Sequence, residues 1–286
     1  MIIWIASYPK SGNTWIRSLI GSYIFSKDGI FNFDLLKNIE QFSPLIPNTI
    51  LDEKLHYQTK VSKSWIITQK KINEDKKIHF LKTHNAMCAI NGNNFTDKFN
   101  TLAVIYIVRD PRNVLTSISH HYGMNQEQSF QFITNKRKII YPIKPGTINK
   151  SNENDFNFLS DWSTHYNSWK NIGFCPIKII KYEDIISNNK EAFISVLNFL
   201  SKFIKIEIIN EKLENSISST TFENLSALEK KRGFDEAVYS NKSQKKIKFF
   251  YLGKENKWKK MLNKKIAKSV EETFNKEMSE LGYLND

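Results

Sequence analysis

A lysine, two hydroxyls and a glycine crowd into Lys10-Ser11-Gly12-Asn13-Thr14, between an apolar run at residues 2–6 and a second apolar series at Ile16, Leu19 and Ile20. This order predicts strand, tight loop, helix. A glycine-bearing loop that opens a helix aims several free backbone N–H groups at one point, and the helix dipole adds partial positive charge there. Such a turn binds phosphate or sulfate. The Gly-x-x-x-x-Gly-Lys-Ser/Thr order cannot be laid over these residues, because Lys10 precedes the loop's only glycine. Chemistry other than ordinary NTP hydrolysis is expected.

Two further strand ends carry groups able to join that site. The run at residues 78–82 ends in Thr83-His84, and Leu-Ala-Val-Ile-Tyr-Ile-Val at residues 102–108 ends in Arg109-Asp110-Pro111. Strand ends of an open parallel sheet converge on one crevice. A helix is predicted at residues 14–25, and Pro111 suits the first turn of another through Tyr122. Helices are also expected at 126–138, 156–170, 190–203, 222–231 and 264–281, with a short strand at 177–182 and a turn at 91–94. Residues 31–58 read as an irregular pocket wall and 142–154 as a mobile loop. Strands alternating with helices predict an α/β fold with a central parallel β-sheet flanked by helices and a P-loop-like strand–loop–helix. No linker or repeat divides the chain, so residues 1–286 are expected to form a single domain.

Composition bounds the setting. With 40% hydrophobic and 13% aromatic residues, the 286-residue chain can bury a full core. Its net charge of +13 is concentrated after Lys230, which favours polyanions in general without choosing among them. Cys88 and Cys175 have no disulfide or zinc spacing. No apolar run approaches the ~20 residues of a membrane span, and no signal-peptide pattern precedes Pro9. A soluble protein of the reducing cytoplasm is expected.

Tyr8-Pro9-Lys10-Ser11-Gly12-Asn13-Thr14-Trp15 resembles the 5′-phosphosulfate loop of the sulfotransferases that use 3′-phosphoadenosine 5′-phosphosulfate (PAPS), with Asn13 where that family usually has Thr. Lys82-Thr83-His84 is similar to its Lys-Thr-His segment. Arg109 followed by Ser117 is similar to its 3′-phosphate segment, Tyr182-Glu183-Asp184 to a Tyr-Glu-Asp, and Thr220-Thr221-Phe222 to a Thr-Ser-Phe. The resemblance implies PAPS as donor, PAP as product, no metal, and an acceptor bearing a hydroxyl or amine; the Asn, Lys, Gln, Phe and Tyr of the pocket walls suit a glycan, a glycolipid or a small alcohol more than a steroid. It implies that Lys10, Ser11, Gly12, Asn13, Thr14 and Trp15 hold the 5′-phosphosulfate end. Arg109 and Ser117 take the 3′-phosphate, and Trp15 and Phe222 sandwich the adenine near Tyr182 and Thr220. His84 is the implied base, Lys10 the leaving-group stabiliser, and Lys82 an assistant near the transferring oxygens. A histidine suits the task because its ordinary pKa is about 6.5.

The closing motif departs from the family. Gly253 and Trp258-Lys259 are present, but Tyr251 and Leu252 stand where two cations usually grip the 3′-phosphate, and Lys248 or Lys254 is expected to compensate. The chain starts at its first strand, without the upstream segment of many cytosolic relatives, and its C-terminal residues resemble bacterial members. The animal dimer motif is missing. His120 and His121 read as structural or pocket-lining, and Asp110 and Glu183 as loop-orienting. Two other classes are compatible with the charge pattern: a P-loop nucleotide kinase, which needs an acidic Mg²⁺ ligand for which Asp110 is the one candidate, and a non-catalytic polyanion or nucleic-acid binder using the basic C-terminal third.

Overall fold

The computed structural model describes residues 1–47, 56–141, 155–239 and 246–284. The strands are β1 (Ile2–Ser7), β2 (Ile39–Gln41), β3 (His79–Thr83), β4 (Ala89–Ile90), β5 (Asn93–Asn94), β6 (Thr101–Val108), β7 (Ile139–Ile140), β8 (Asn157–Phe158) and β9 (Ile177–Lys181). The helices are α1 (Asn13–Phe25), α2 (Tyr57–Ile72), α3 (Pro111–Tyr122), α4 (Gln126–Thr134), α5 (Trp162–Lys170), α6 (Tyr182–Ser187), α7 (Asn189–Leu200), α8 (Asn210–Ser219), α9 (Phe222–Arg232), α10 (Trp258–Met261), α11 (Lys264–Thr273) and α12 (Asn275–Glu280).

Five strands form one parallel sheet in the order β2-β3-β1-β6-β9. The central strand β1 is buried along its length because both of its faces are covered. Ile2, Trp4 and Ala6 face a core that includes α2, α3, α5 and α11, while Ile3 and Ile5 face α1 and α7. Strand β6 divides in the same way, Val104, Tyr106 and Val108 against Ala103, Ile105 and Ile107. A third cluster of Phe31, Leu36, Leu225, Phe234 and Phe250 lies under the segment that follows α9. The connection from β1 leads to one side of the sheet and β6 lies on the other, so the C-terminal ends of β1, β3 and β6 open onto a common crevice.

Several boundaries differ from the sequence reading. Residues 33–41 are ordered as a 3-10 turn (Phe33–Asn38) and the edge strand β2, because pairing of Ile39 with Phe80 supplies a partner that local propensity does not reveal. Helix α2 is not among the expected helices, although Val61 and Trp65 form a buried i, i+4 pair. Helix α8 is likewise additional to the expected ones. The helix expected at 156–170 begins at Trp162, since Asn157–Phe158 pair with Ile139–Ile140, and its cap is Asp161, whose side chain accepts from Thr164 N–H. The expected helix at 126–138 ends at Thr134, and that at 264–281 is broken at Phe274. The expected loop at 142–154 and residues 48–55 of the expected pocket wall lie outside the described residues. Among the described residues no helix is long and apolar enough to cross a membrane.

Candidate active site

The loop between β1 and α1 turns through two left-handed residues, Lys10 at φ 65° and Gly12 at φ 98°. Gly12 is required twice, by its backbone angle and by space, since a Cβ there would stand 2.4 Å from Tyr182 Cδ2. The Asn13 side chain ties the loop to its strand, donating to Ile5 O at 3.0 Å and Ser7 Oγ at 3.2 Å. Tyr182, the first residue of α6, packs on Gly12 between Trp15, edge-on at 5.7 Å, and the Arg109 guanidinium, 4.1 Å from the ring centre. Arg109 also donates to Lys10 O at 3.0 Å, which joins the β6 end to the loop. Three donors here are buried without a partner among the described residues: Ser11 Oγ, Trp15 Nε1 and Arg109 Nε. Unmatched buried donors are costly and suit a ligand that brings acceptors.

This loop borders a cavity of about 810 Å³ lined also by Lys82, His84, Ser117, Phe222, Gly253 and Lys254. Lys10 and His84 therefore share one cavity. The Lys10 ammonium lies 3.9 Å from the centre of the Phe249 ring and 3.5 Å from His121 Nδ1. Burial pulls its pKa down to about 7, with Glu236 opposing and Arg109 and Lys82 adding to the fall. His84 is held from both sides. Its Nδ1 carries the proton, because it donates to Ser7 O at 2.8 Å, and Nε2 is left as the acceptor. Its backbone N–H donates to Asn157 Oδ1 at 3.3 Å, and its carbonyl accepts from His165 Nε2 at 3.1 Å. The buried His165 in turn accepts from Tyr106 Oη at 2.8 Å. Burial, followed by the charge of Lys82, lowers the His84 pKa to about 3, so the ring is neutral at pH 7.

Glu236 is the site residue that sequence reading missed. One carboxylate oxygen lies 2.9 Å from Lys82 Nζ and accepts from Thr14 Oγ1 at 3.1 Å; the other pairs with the Arg17 guanidinium. A carboxylate from the segment after α9 thus occupies the point on which Thr14, Arg17 and Lys82 converge. Burial alone would raise its pKa, but Lys82 and Arg17 hold it well below the usual carboxylate range. Arg17 sits one turn after Asn13 on α1, a spacing that signals a second basic group beside the loop. Nothing local marks Glu236 as its partner.

Residues 249–256 close the cavity against α3. Tyr251 stacks flat on His120 at 3.6 Å, Asn256 Oδ1 accepts from Thr116 Oγ1 at 2.7 Å, and Trp258 N–H donates to Asn113 Oδ1 at 3.0 Å. Gly253 packs under Phe222, whose ring lies 2.6 Å from where a Cβ would stand. Lys254 lines the cavity and Lys248 does not, although Lys248 O accepts from His120 Nε2. A second cavity of about 320 Å³ shares Arg109, Tyr182, Gly253 and Lys254 and adds Lys257, Lys259 and Lys260. Asp110 caps α3 and grips Arg112, and Glu183 accepts from Asp110 N–H and Tyr283 Oη, so both orient backbone.

Two expected residues lie away from the cavity surface. Ser11 is fully buried behind the loop, and Thr220 is fully buried with its hydroxyl donating to Ser216 O at 2.7 Å within α8; neighbouring Thr221 lines the cavity instead. Among the described residues no group of three or more His, Cys, Asp or Glu side chains is arranged to hold a metal ion.

Residues 2–282 match the family described as "Sulfotransferase domain". The chain is 23% identical over 283 residues to cytosolic sulfotransferase 13 of Arabidopsis thaliana, covering 95% of this chain and 75% of that protein. It is 25% identical over 232 residues to sulfotransferase 1 family member D1 of Mus musculus, covering 79% and 67%. Mouse sulfotransferase SULT7A1 complexed with PAP superposes with a TM-score of 0.59 at 18% identity, over 97% of this chain and 84% of that one. A retinol dehydratase in complex with androsterone and inactive cofactor PAP gives 0.60 at 16% identity, over 97% and 80%. At these identities the likeness to solved structures is one of fold.

Proposed function

Given that this chain belongs to the sulfotransferase domain family along residues 2–282, we propose that it moves a sulfuryl group from PAPS to an acceptor hydroxyl with His84 as base. One observation carries the reading: the unprotonated Nε2 of His84 and the ammonium of Lys10 border the same cavity, with an anion-binding turn between them. The residues present fit the donor. The unmatched donors Trp15 Nε1 and Arg109 Nε belong to residues that line the cavity, and Lys10, Lys82, Arg109 and Lys254 supply positive charge for a ligand carrying about four negative charges. When bound, PAPS supplies an activated sulfuryl group joined to a phosphate leaving group.

Each residue then has a task. The backbone N–H groups of Gly12 to Thr14 and the Thr14 hydroxyl bind the 5′ end, and Arg109 with Ser117 and Lys254 the 3′-phosphate, the arginine fork giving two parallel bonds. Trp15 and Phe222 stack the base, worth about 1–3 kcal/mol. His84 Nε2 takes the acceptor's proton as the new oxygen–sulfur bond forms, while Lys10 faces the departing phosphate oxygen as the old bond breaks, and Lys82 steadies the oxygens in transfer. Positioned acid–base help of this kind contributes about 10²–10⁴ in rate. The free thiols Cys88 and Cys175 are compatible with a reducing cytosol as its setting.

The test compares thermal shifts with PAP, ADP and ATP, then turnover of His84→Ala. PAP should stabilise the protein most, and the alanine variant should keep that shift while losing turnover by at least about 100-fold. Equal shifts with all three nucleotides, or a fully active variant, would refute the assignment.

A further inference from the structure

Beyond His84 the cavity has an end whose chemistry bears on the acceptor. Asn157 Oδ1 accepts from His84 N–H, and Asn157 pairs with Ile140 across the β7–β8 ladder, so Ile139 and Ile140 extend the cavity wall from the residue that holds the His84 backbone. Phe132 and Tyr122 stack at 5.5 Å and continue the wall. Lys138 closes it, with Nζ 4.1 Å from the centre of the Phe132 ring. All six residues line the cavity. The wall is continuous with the opposite end: Tyr122 meets His121 edge-on at 4.7 Å, and His121 accepts from Lys10. One cation therefore stands at each end of a wall of rings.

Among the described residues that line this end, Lys138 carries the formal charge. Its ammonium is weakened by burial, and among the described residues no carboxylate pairs with it. Glu236, the acid nearest the reacting groups, is committed to Lys82, Arg17 and Thr14. A half-buried ammonium against an aromatic face gains most from an anion that brings its own hydrogen-bond acceptors. A cationic amine seated at this end would meet the Lys138 ammonium rather than a carboxylate, since the other acids that line the cavity, Glu223 and Asp235, belong to α9 and the segment after it.

Resting on the sulfuryl-transfer reading above, we propose that the acceptor is a phenol or alcohol with an acidic group on an apolar or aromatic body, anchored through that group by Lys138 with its hydroxyl at His84. Lys138 is a specificity determinant, and its charge ranks cationic amines below neutral and anionic acceptors.

Three phenols of similar size test this with radiolabelled PAPS: 4-hydroxyphenylacetate, 4-methylphenol and tyramine. The wild-type protein should rank them anion, neutral, cation by kcat/KM. Lys138→Met should lower the anion-to-neutral ratio by about 10-fold, the worth of one hydrogen bond to a charged group, and Lys138→Arg should largely restore it. A wild-type preference for the neutral or cationic phenol, or an unchanged ratio in Lys138→Met, overturns the proposal. Turnover of none of the three also overturns it. In that case a PAP-induced thermal shift leaves the donor reading standing, whereas its absence removes both.

Discussion

Replacing Glu236 with glutamine removes a negative charge from the point where Thr14, Arg17 and Lys82 meet, and so asks whether that carboxylate competes with the donor. The side chain touches three donors and is 26% exposed. Removing one partner of a fully buried ion pair costs about 3–5 kcal/mol, and partial exposure with a retained amide reduces this to about 2 kcal/mol. For a chain of this size the unliganded protein should melt about 4 °C lower. Nucleotide binding should move the other way. Thr14 has one hydroxyl proton, which serves either Glu236 or a phosphate oxygen. Like charges about 5 Å apart repel by about 3 kcal/mol at an effective dielectric of about 20. Halving this for exposure and salt leaves about 1.4 kcal/mol, a tenfold tighter Kd for PAP in Glu236→Gln. Calorimetric titration of PAP alongside melting curves reads both quantities. Weaker PAP binding in the glutamine variant would refute the competition argument and make Glu236 a residue that orients Lys82 in the bound state.

Lys10, with a pKa of about 7 in the free protein, should be driven to its charged form by an adjacent phosphate. PAP affinity is then highest below pH 7 and falls up to tenfold per unit as pH rises above it; titrations in buffers of different ionisation enthalpy that show no proton uptake at pH 8 would contradict this. Gly12→Ala places a methyl 2.4 Å from the Tyr182 ring at a left-handed φ. It should destabilise the fold by about 1–3 kcal/mol and abolish the PAP thermal shift, and a variant binding PAP normally would show that the loop tolerates displacement of Tyr182. The fully buried His165, lowered to about 4 by burial, stays neutral where the unfolded ring protonates near 6.5. Its folded pKa is depressed, so its stabilisation is present above about 6.5 and drains as pH falls towards 4. The cost is about 2 kcal/mol between pH 7 and pH 5, and chemical denaturation with identical midpoints at those pH values would count against it.

Residues close in sequence were the legible ones. The chemistry of Lys10 to Trp15 is local, since an apolar strand, a glycine turn and a helix start fix where the amides aim whatever surrounds them. The alternation along β1 and β6 and the polar residues at their ends likewise announce a parallel sheet and its crevice. Contacts made across the chain depended on the fold. Glu236 meets Thr14 and Arg17 across more than 200 residues; Tyr182 fills the space left by Gly12; Tyr251, in a position usually cationic in the family, stacks on His120; and Lys138 comes to stand at the far end of the cavity from Lys10. Helix α2 was readable from Val61 and Trp65, but strand β2 exists only because β3 gives it a partner. Residue order determines local direction and hydrogen-bonding capacity, because these arise from backbone sterics and side-chain type. Which charges neutralise one another, and which proton sits on which nitrogen of His84, depends on distances of a few ångströms between remote segments, and only the packed structure decides those.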